Sequence, residues 1–241
     1  MEEKEIPVDT SHGLTYNPHV SIDCVIFGFD GERLKVLLIE RTINEVNGYY
    51  SDKKLPGSII YEDEGLDTAA IRVLHELTGL KNIFLRQFHS FGDPHRTNNP
   101  RDKNWLEETT KMKIGRIVTV GYLALIKISR KIIFESESTT ARWYDVDALE
   151  SMKLAFDHNL IAKEALKHIR HQVMLQPHML FELLPRKFTM TQLRNLYDLV
   201  LETKSDVRNF QKKMLEQLDE VQKNVPYRAP RLYRFNKKKA R

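Results

Sequence analysis

The sequence predicts an α/β domain followed by a small α+β winged helix-turn-helix. One observation is a pair of β-rich runs feeding a loop-helix-loop between Ser21 and Leu80. Another is a C-terminal quarter in which two helical stripes precede an aromatic, arginine-rich strand segment. Charge is the third: Phe181–Arg241 carries 15 Lys/Arg against 7 Asp/Glu, whereas residues 1–180 carry 23 against 26. A basic segment attached to a neutral or acidic domain is a common mark of nucleic-acid binding. The expected organisation is a flexible arm over residues 1–19, a first domain over 20–175 and a basic second domain over 176–241.

Composition narrows the class. A chain of 241 residues with 41% hydrophobic and 29% charged residues is an ordinary soluble protein in its proportions. A single cysteine, Cys24, allows no intrachain disulfide and no zinc cluster, which fits a reducing compartment. No run of eighteen apolar residues exists, and the acidic start MEEKEIP lacks the regions of a signal peptide. The expected location is the cytoplasm, with no membrane partner.

Met1–His19 is polar and without periodicity. Ser21–Phe29 and Leu34–Arg41 read as strands joined by Asp30-Gly31-Glu32-Arg33, a hairpin by composition. Asn44–Lys54 reads as a loop leading to a turn at Pro56-Gly57 and then an acidic loop. Leu66–Leu77 follows as a helix, with Ala69, Ala70, Val73, Leu74 and Leu77 as its apolar stripe and Gly79 as a left-handed cap. Ile83–Ser90 is a strand candidate. Phe91–Lys113 is long and polar, read as an insertion between strands. Ile117–Ile128 is the most β-like run, and Ala141–Val146 is a short strand. Asp157 is placed to cap a helix to about Gln172 through Leu160, Ile161, Ala165, Leu166, Ile169 and Val173.

Gln176-Pro177-His178 marks the domain boundary. Beyond it, Leu193, Leu196, Tyr197, Val200 and Leu201 make one helical stripe. After a break at Thr203–Ser205, with Ser205 as the cap, Val207, Phe210, Met214, Leu215 and Leu218 make a second. The opposite face of that second helix offers Arg208, Asn209, Gln211, Lys212 and Lys213. Arg matches guanine and Asn or Gln matches adenine in the major groove, so these residues suit a recognition helix. In the segment YRAPRLYRF, Leu232, Tyr233 and Phe235 suit a strand hairpin interleaved with Arg228, Arg231 and Arg234. Those arginines would meet the DNA backbone or minor groove and add salt-dependent affinity.

Glu64, Arg72, Leu74, Glu76, Gly79 and Leu80 fall on the Nudix box, so the loop-helix-loop resembles that family. The pattern has glycine where this chain has Ser58, and glutamate where it has Val73 and Leu77. Nudix hydrolases use those carboxylates to hold magnesium against a diphosphate, and valine and leucine have no oxygen to offer. Glu62, Asp63, Glu64 and Glu76 could together hold one ion, but acids just before a helix start more often serve as partners of its dipole. No metal or cofactor is expected, and the chain is read as non-catalytic.

The run LLPRKFTMTQLRNLYDLVL, with DVRNFQKKML, RLYRF, IDCVIFGF and the FDH at Phe156–His158, resembles the Nudix-related transcriptional regulators from about His19 to Phe235. The resemblance implies an α/β/α sandwich with a mixed sheet followed by the winged helix. It further implies a repressor that binds palindromic operator DNA as a homodimer and answers to a small effector. Described branches respond to ADP-ribose or to sugars such as L-arabinose, and the acidic surroundings of the box lean the reading toward a sugar. The effector residues expected are Asp23, Arg41, Glu64, Arg96 and His158. A competing reading is a Nudix hydrolase of a nucleoside diphosphate derivative with a nonstandard metal site.

Overall fold

The computed structural model describes residues 8–9, 14–45, 48–128, 140–221 and 229–239. The chain divides into two compact units. The first comprises the described residues of Met1–Ile26, Val36–Ala124 and Lys131–Ala165. The second comprises those of Phe27–Lys35, Leu125–Arg130 and Leu166–Arg241.

The central strand of the first sheet is β2 (Leu14–Phe29). Ser21–Phe29 is buried throughout, as a strand covered on both faces requires. Its companions are β1 (Val8–Asp9), β3 (Leu34–Glu45), β4 (Gly48–Lys54), β5 (Gly57–Tyr61), β6 (Arg86–Phe91), β7 (Val118–Lys127) and β8 (Thr140–Asp145). The order runs β4-β3-β2-β7-β6, with β1 and β5 also paired to β2 and β8 to β3. The predicted hairpin is present, and β7 is the buried strand its composition promised. Strand β2 begins at Leu14, inside the stretch read as an arm, and β1 pairs back on it through Val8 and Thr15.

Two strands replace predicted loops. The stretch 44–54 contains β4, paired antiparallel to β3 from Ile39 opposite Lys54 to Thr42 opposite Ser51. Its inward residues Asp52 and Lys54 are buried although charged, so the strand lacks the apolar alternation that would betray it. Strand β5 follows the Pro56-Gly57 turn directly and lies against β2 through Ile22 opposite Ser58 and Asp23 opposite Gly57.

Helix α1 (Leu66–Thr78) buries Ala69, Ala70, Val73, Leu74 and Thr78, and leaves Leu77 half-buried. It ends on Gly79 at φ 68°, whose N–H bonds the His75 carbonyl at 2.8 Å. Such a left-handed cap suits glycine, which lacks the Cβ that would clash. The predicted insertion holds helix α2 (Pro100–Thr110), started by Asn99 accepting the Arg101 N–H, with Pro100 in its first turn. That Asn-Pro start is the sequence signal the reading of 91–113 as a polar loop passed over. Helix α3 (His158–Leu175) buries Ile161, Ala162, Ala165, Ile169 and Val173 but leaves Leu160 exposed. Asp157 precedes it as expected, but its carboxylate binds Arg96 instead of capping the helix.

In the second unit, α4 (Met190–Leu201) opens with a reciprocal capping box between Thr189 and Gln192. Leu193, Leu196 and Val200 are buried, and Tyr197 meets Phe210 of α5 (Val207–Leu215) at 5.2 Å between ring centroids. Asp206, not Ser205, caps α5 by accepting the Asn209 N–H; Ser205 bonds Asp198 instead. Only Phe210 and Met214 of the predicted stripe are buried on α5, and Val207 and Leu215 are exposed. Leu218 belongs to β10 (Leu218–Glu220), which pairs with β11 (Leu232–Phe235); β9 (Phe188–Thr189) completes the sheet in the order β10-β11-β9. The wing is therefore made across a long connection, not within YRAPRLYRF. No helix among the described residues is long and apolar enough to cross a membrane.

Candidate functional site

A small cleft, partly open to solvent, lies in the first unit. Asp23, Lys54, Gly57, Arg96 and His158 line its polar side, and Trp105, Leu106, Phe156, Ile59 and Ile117 its apolar side. A few convergent polar groups on an apolar wall are the usual makeup of a small-molecule site. Three of the five residues expected to bind an effector, Asp23, Arg96 and His158, are brought together here.

Asp23 is the hub of this group. Thr119 Oγ1 donates to Asp23 Oδ2 at 2.8 Å, Arg96 Nη2 lies 3.5 Å from the same oxygen, and His158 Nε2 lies 3.3 Å from Oδ1. Burial would raise the carboxyl pKa, but His158, Arg96 and Thr119 outweigh it and hold it well below the usual range. The Leu55 N–H donates to His158 Nδ1 at 2.9 Å, which fixes the ring with Nε2 toward Asp23. Arg96 also makes two bonds to Asp157, at 3.0 and 2.7 Å.

Gly57 permits this closeness. A Cβ there would meet Asp23 Oδ1 at 2.0 Å and the Ile22 carbonyl at 2.8 Å. Gly57→Ala is therefore expected to displace Asp23 and to cost about 2 kcal/mol or more of stability. Urea unfolding checks this, and an unchanged midpoint would refute the crowding.

Lys54 ends the stretch that the sequence reads as a loop. It is a pocket residue, its amine donating to the Gly57 carbonyl at 2.7 Å and facing the Trp105 ring at 5.6 Å. Burial drives its pKa down from 10.5 to about 8, the Arg41 cation adding to this while Asp23 and Asp52 oppose it. Trp105 and Leu106 come from α2, which the reading of this stretch as a polar loop left without structure.

Arg41 does not line the cleft but lies behind its aromatic wall. Its guanidinium sits 4.8 Å from the Trp105 ring centroid and 5.5 Å from that of Phe156. It binds Asp52 through Nε at 2.7 Å and Nη2 at 2.5 Å, and Asp102 through Nη2 at 2.6 Å. Asp102 accepts the Phe156 N–H with its other oxygen at 2.9 Å, fixing a residue whose φ of 53° is unusual for a side chain of this size. One carboxylate thus ties α2 to both Arg41 and the turn before α3.

Glu64 is likewise outside the cleft. Arg72 grips it through two bonds, at 2.7 and 2.6 Å, and reaches Glu76 at 3.0 Å, so both remaining box acids are engaged by one guanidinium. Burial alone would lower the Arg72 pKa, but Glu64 and Glu76 raise it. Val73, where the pattern has a glutamate, is fully buried. No cluster of three His, Cys, Asp or Glu side chains suited to a metal ion occurs among the described residues.

In the second unit Arg208, Asn209, Gln211, Lys212 and Lys213 are all exposed on α5. Arg231, just before β11, and Arg234, within it, are exposed, 3.6 Å from Glu220 and 3.5 Å from Asp219 respectively. Arg228 lies outside the described residues.

The NUDIX domain family model matches residues 17–168. The chain belongs to the Nudix family. A second model, the NrtR DNA-binding winged helix domain, matches residues 180–235 of this Nudix protein. The two matches give a Nudix domain followed by an NrtR-type winged helix. The protein is similar to the "ADPR responsive transcriptional repressor NtrR" of Acinetobacter baylyi, 28% identical over 225 residues that make up 91% of this chain and 82% of the relative. The crystal structure of Shewanella oneidensis NrtR has the same fold, with TM-score 0.70 at 24% identity over 92% of this chain and 96% of that one. A second crystal structure of that protein, complexed with a 27mer DNA, has TM-score 0.67 at 24% identity, covering 92% of this Nudix protein and 95% of the other chain.

Proposed function

We propose that the protein is a transcriptional repressor whose winged helix binds operator DNA as a homodimer and whose Nudix domain binds ADP-ribose as its effector. The observation that carries this reading is the exposed row Arg208, Asn209, Gln211 and Lys212 on α5, on a chain whose other unit offers a small-molecule cleft. Guanidinium and amide groups together can read base edges, while the lysines neutralise phosphates. The Acinetobacter baylyi relative is described as ADPR responsive, which supports ADP-ribose over the sugar favoured by the acidic box. The cleft supports it too, because Lys54 and Arg96 place cations beside an aromatic wall, a combination that suits a phosphorylated ligand better than a neutral one.

The test is fluorescence anisotropy of the full-length protein on DNA from upstream of its own gene, against a scrambled duplex, with ADP-ribose or L-arabinose added. Preferential binding to the native fragment that ADP-ribose alone alters is expected. Equal, salt-sensitive binding to both duplexes with no ligand effect would remove the reading. A response to arabinose alone would restore the sugar.

A further inference from the structure

We propose that Lys54 is the residue that recognises a phosphate of the effector, and that its proton is taken up when the ligand binds. The assignment rests on the reading of the effector as an anionic sugar nucleotide. Two cations line the cleft, and they differ in how far their charge is already committed. Arg96 is clamped by Asp157 through two bonds and lies 3.5 Å from Asp23. Lys54 is 5% exposed, yet its amine bonds only carbonyl oxygens, those of Gly57 at 2.7 Å and Leu55 at 3.4 Å. No carboxylate among the described residues forms an ion pair with it. An ammonium has three donors, so the two carbonyls leave one, and neutral carbonyls do not cancel its charge.

An ammonium taken from water without a counter-charge is costly, which makes a ligand anion its natural complement. The electrostatics around the amine agree. The groups that face it are Asp23, Asp52 and Cys24 together with the opposing cation Arg41, and His158 and Arg96 complete the polar wall. Burial and Arg41 prevail over Asp23 and Asp52, bringing the amine to about 8 in the free protein. A diphosphate is fully ionised in this range and would draw the proton back on. Affinity for an anionic ligand is then full below pH 8 and declines as the pH rises through it.

Titration calorimetry of the full-length protein tests this with ADP-ribose as the anionic probe and D-ribose as the neutral one. ADP-ribose affinity is expected to fall on the order of tenfold between pH 7.5 and 9.5, with proton uptake at pH 8.5 seen as a dependence of the heat on buffer ionisation enthalpy. Lys54→Met is expected to weaken ADP-ribose at pH 7.5 and flatten the profile, while Lys54→Arg keeps binding up to pH 9.5 because guanidinium does not titrate there. D-ribose binding should show neither effect. ADP-ribose binding that is pH-independent and without proton uptake in the unaltered protein would overturn the assignment while leaving ADP-ribose as the effector. Binding of D-ribose without ADP-ribose would overturn the anionic effector and the Lys54 assignment together.

Discussion

Replacing Arg208 and Lys212 together with alanine is expected to reduce specific operator affinity about a hundredfold or more. A good base-edge contact is worth about 1–3 kcal/mol, and a lost phosphate contact lowers affinity for any duplex. Both side chains are exposed on α5, while the residues that anchor the helix, Phe210 and Met214, are untouched. Thermal unfolding should therefore be unchanged. The salt dependence of the remaining binding should be shallower by roughly one to two counterions. Anisotropy over a series of salt concentrations reads both quantities. An unaltered affinity with an unaltered slope would place DNA recognition elsewhere on the chain, with the wing arginines Arg231 and Arg234 next to be tested.

A larger effect on stability is expected from Arg41→Met. The variant keeps an unbranched apolar stem but removes the guanidinium and strands the carboxylates of Asp52 and Asp102, which are 7% and 3% exposed in their side chains. Breaking a buried pair from one side costs about 3–5 kcal/mol, because the partner charge stays behind in a poor solvent. Here two partners stay behind. Adding Asp52→Asn and Asp102→Asn should recover much of the loss, since the uncompensated charge is then gone. Urea unfolding of the single and triple variants measures this, and a loss under about 1 kcal/mol for Arg41→Met would show that water relieves the two acids. Because Asp102 also accepts the Phe156 N–H, the single variant should loosen the aromatic wall of the cleft and weaken effector binding in parallel.

The order of the main elements was legible because each announces itself locally. Strand β7 is a continuous apolar run, α1 carries its stripe and its glycine cap, and α4 opens on a capping box. Elements were missed where function inverts the usual pattern. Strand β4 turns Asp52 and Lys54 inward to build the cleft and its backing, so its buried side reads as polar. Helix α2 is largely solvent-facing and polar, and joins the fold through Asp102, Trp105, Leu106 and Thr110 rather than through an apolar stripe. The strand partner of β11 was misplaced for a different reason. Leu218 continues the helical spacing of Phe210 and Met214, and pairing across a long connection leaves no local trace.

The site divides along the same line. That Asp23, Arg96 and His158 would share a pocket was expected from the family resemblance rather than from their local pattern. Which partners they take was not legible, because Asp23 meets Thr119, Arg96 and His158 only when residues 73 to 135 positions away are folded against it. Arg41 and Glu64 show the converse, charged residues whose ion pairs direct them away from the cleft. By itself the sequence determined the two-part architecture, the loss of two box glutamates and the cationic face of α5, since each depends on residue identity at short, regular spacing. Tertiary structure alone decided that Lys54, Trp105 and Phe156 share a cleft and that Arg72 holds both surviving acids, because burial and ion pairing are set by distances in space.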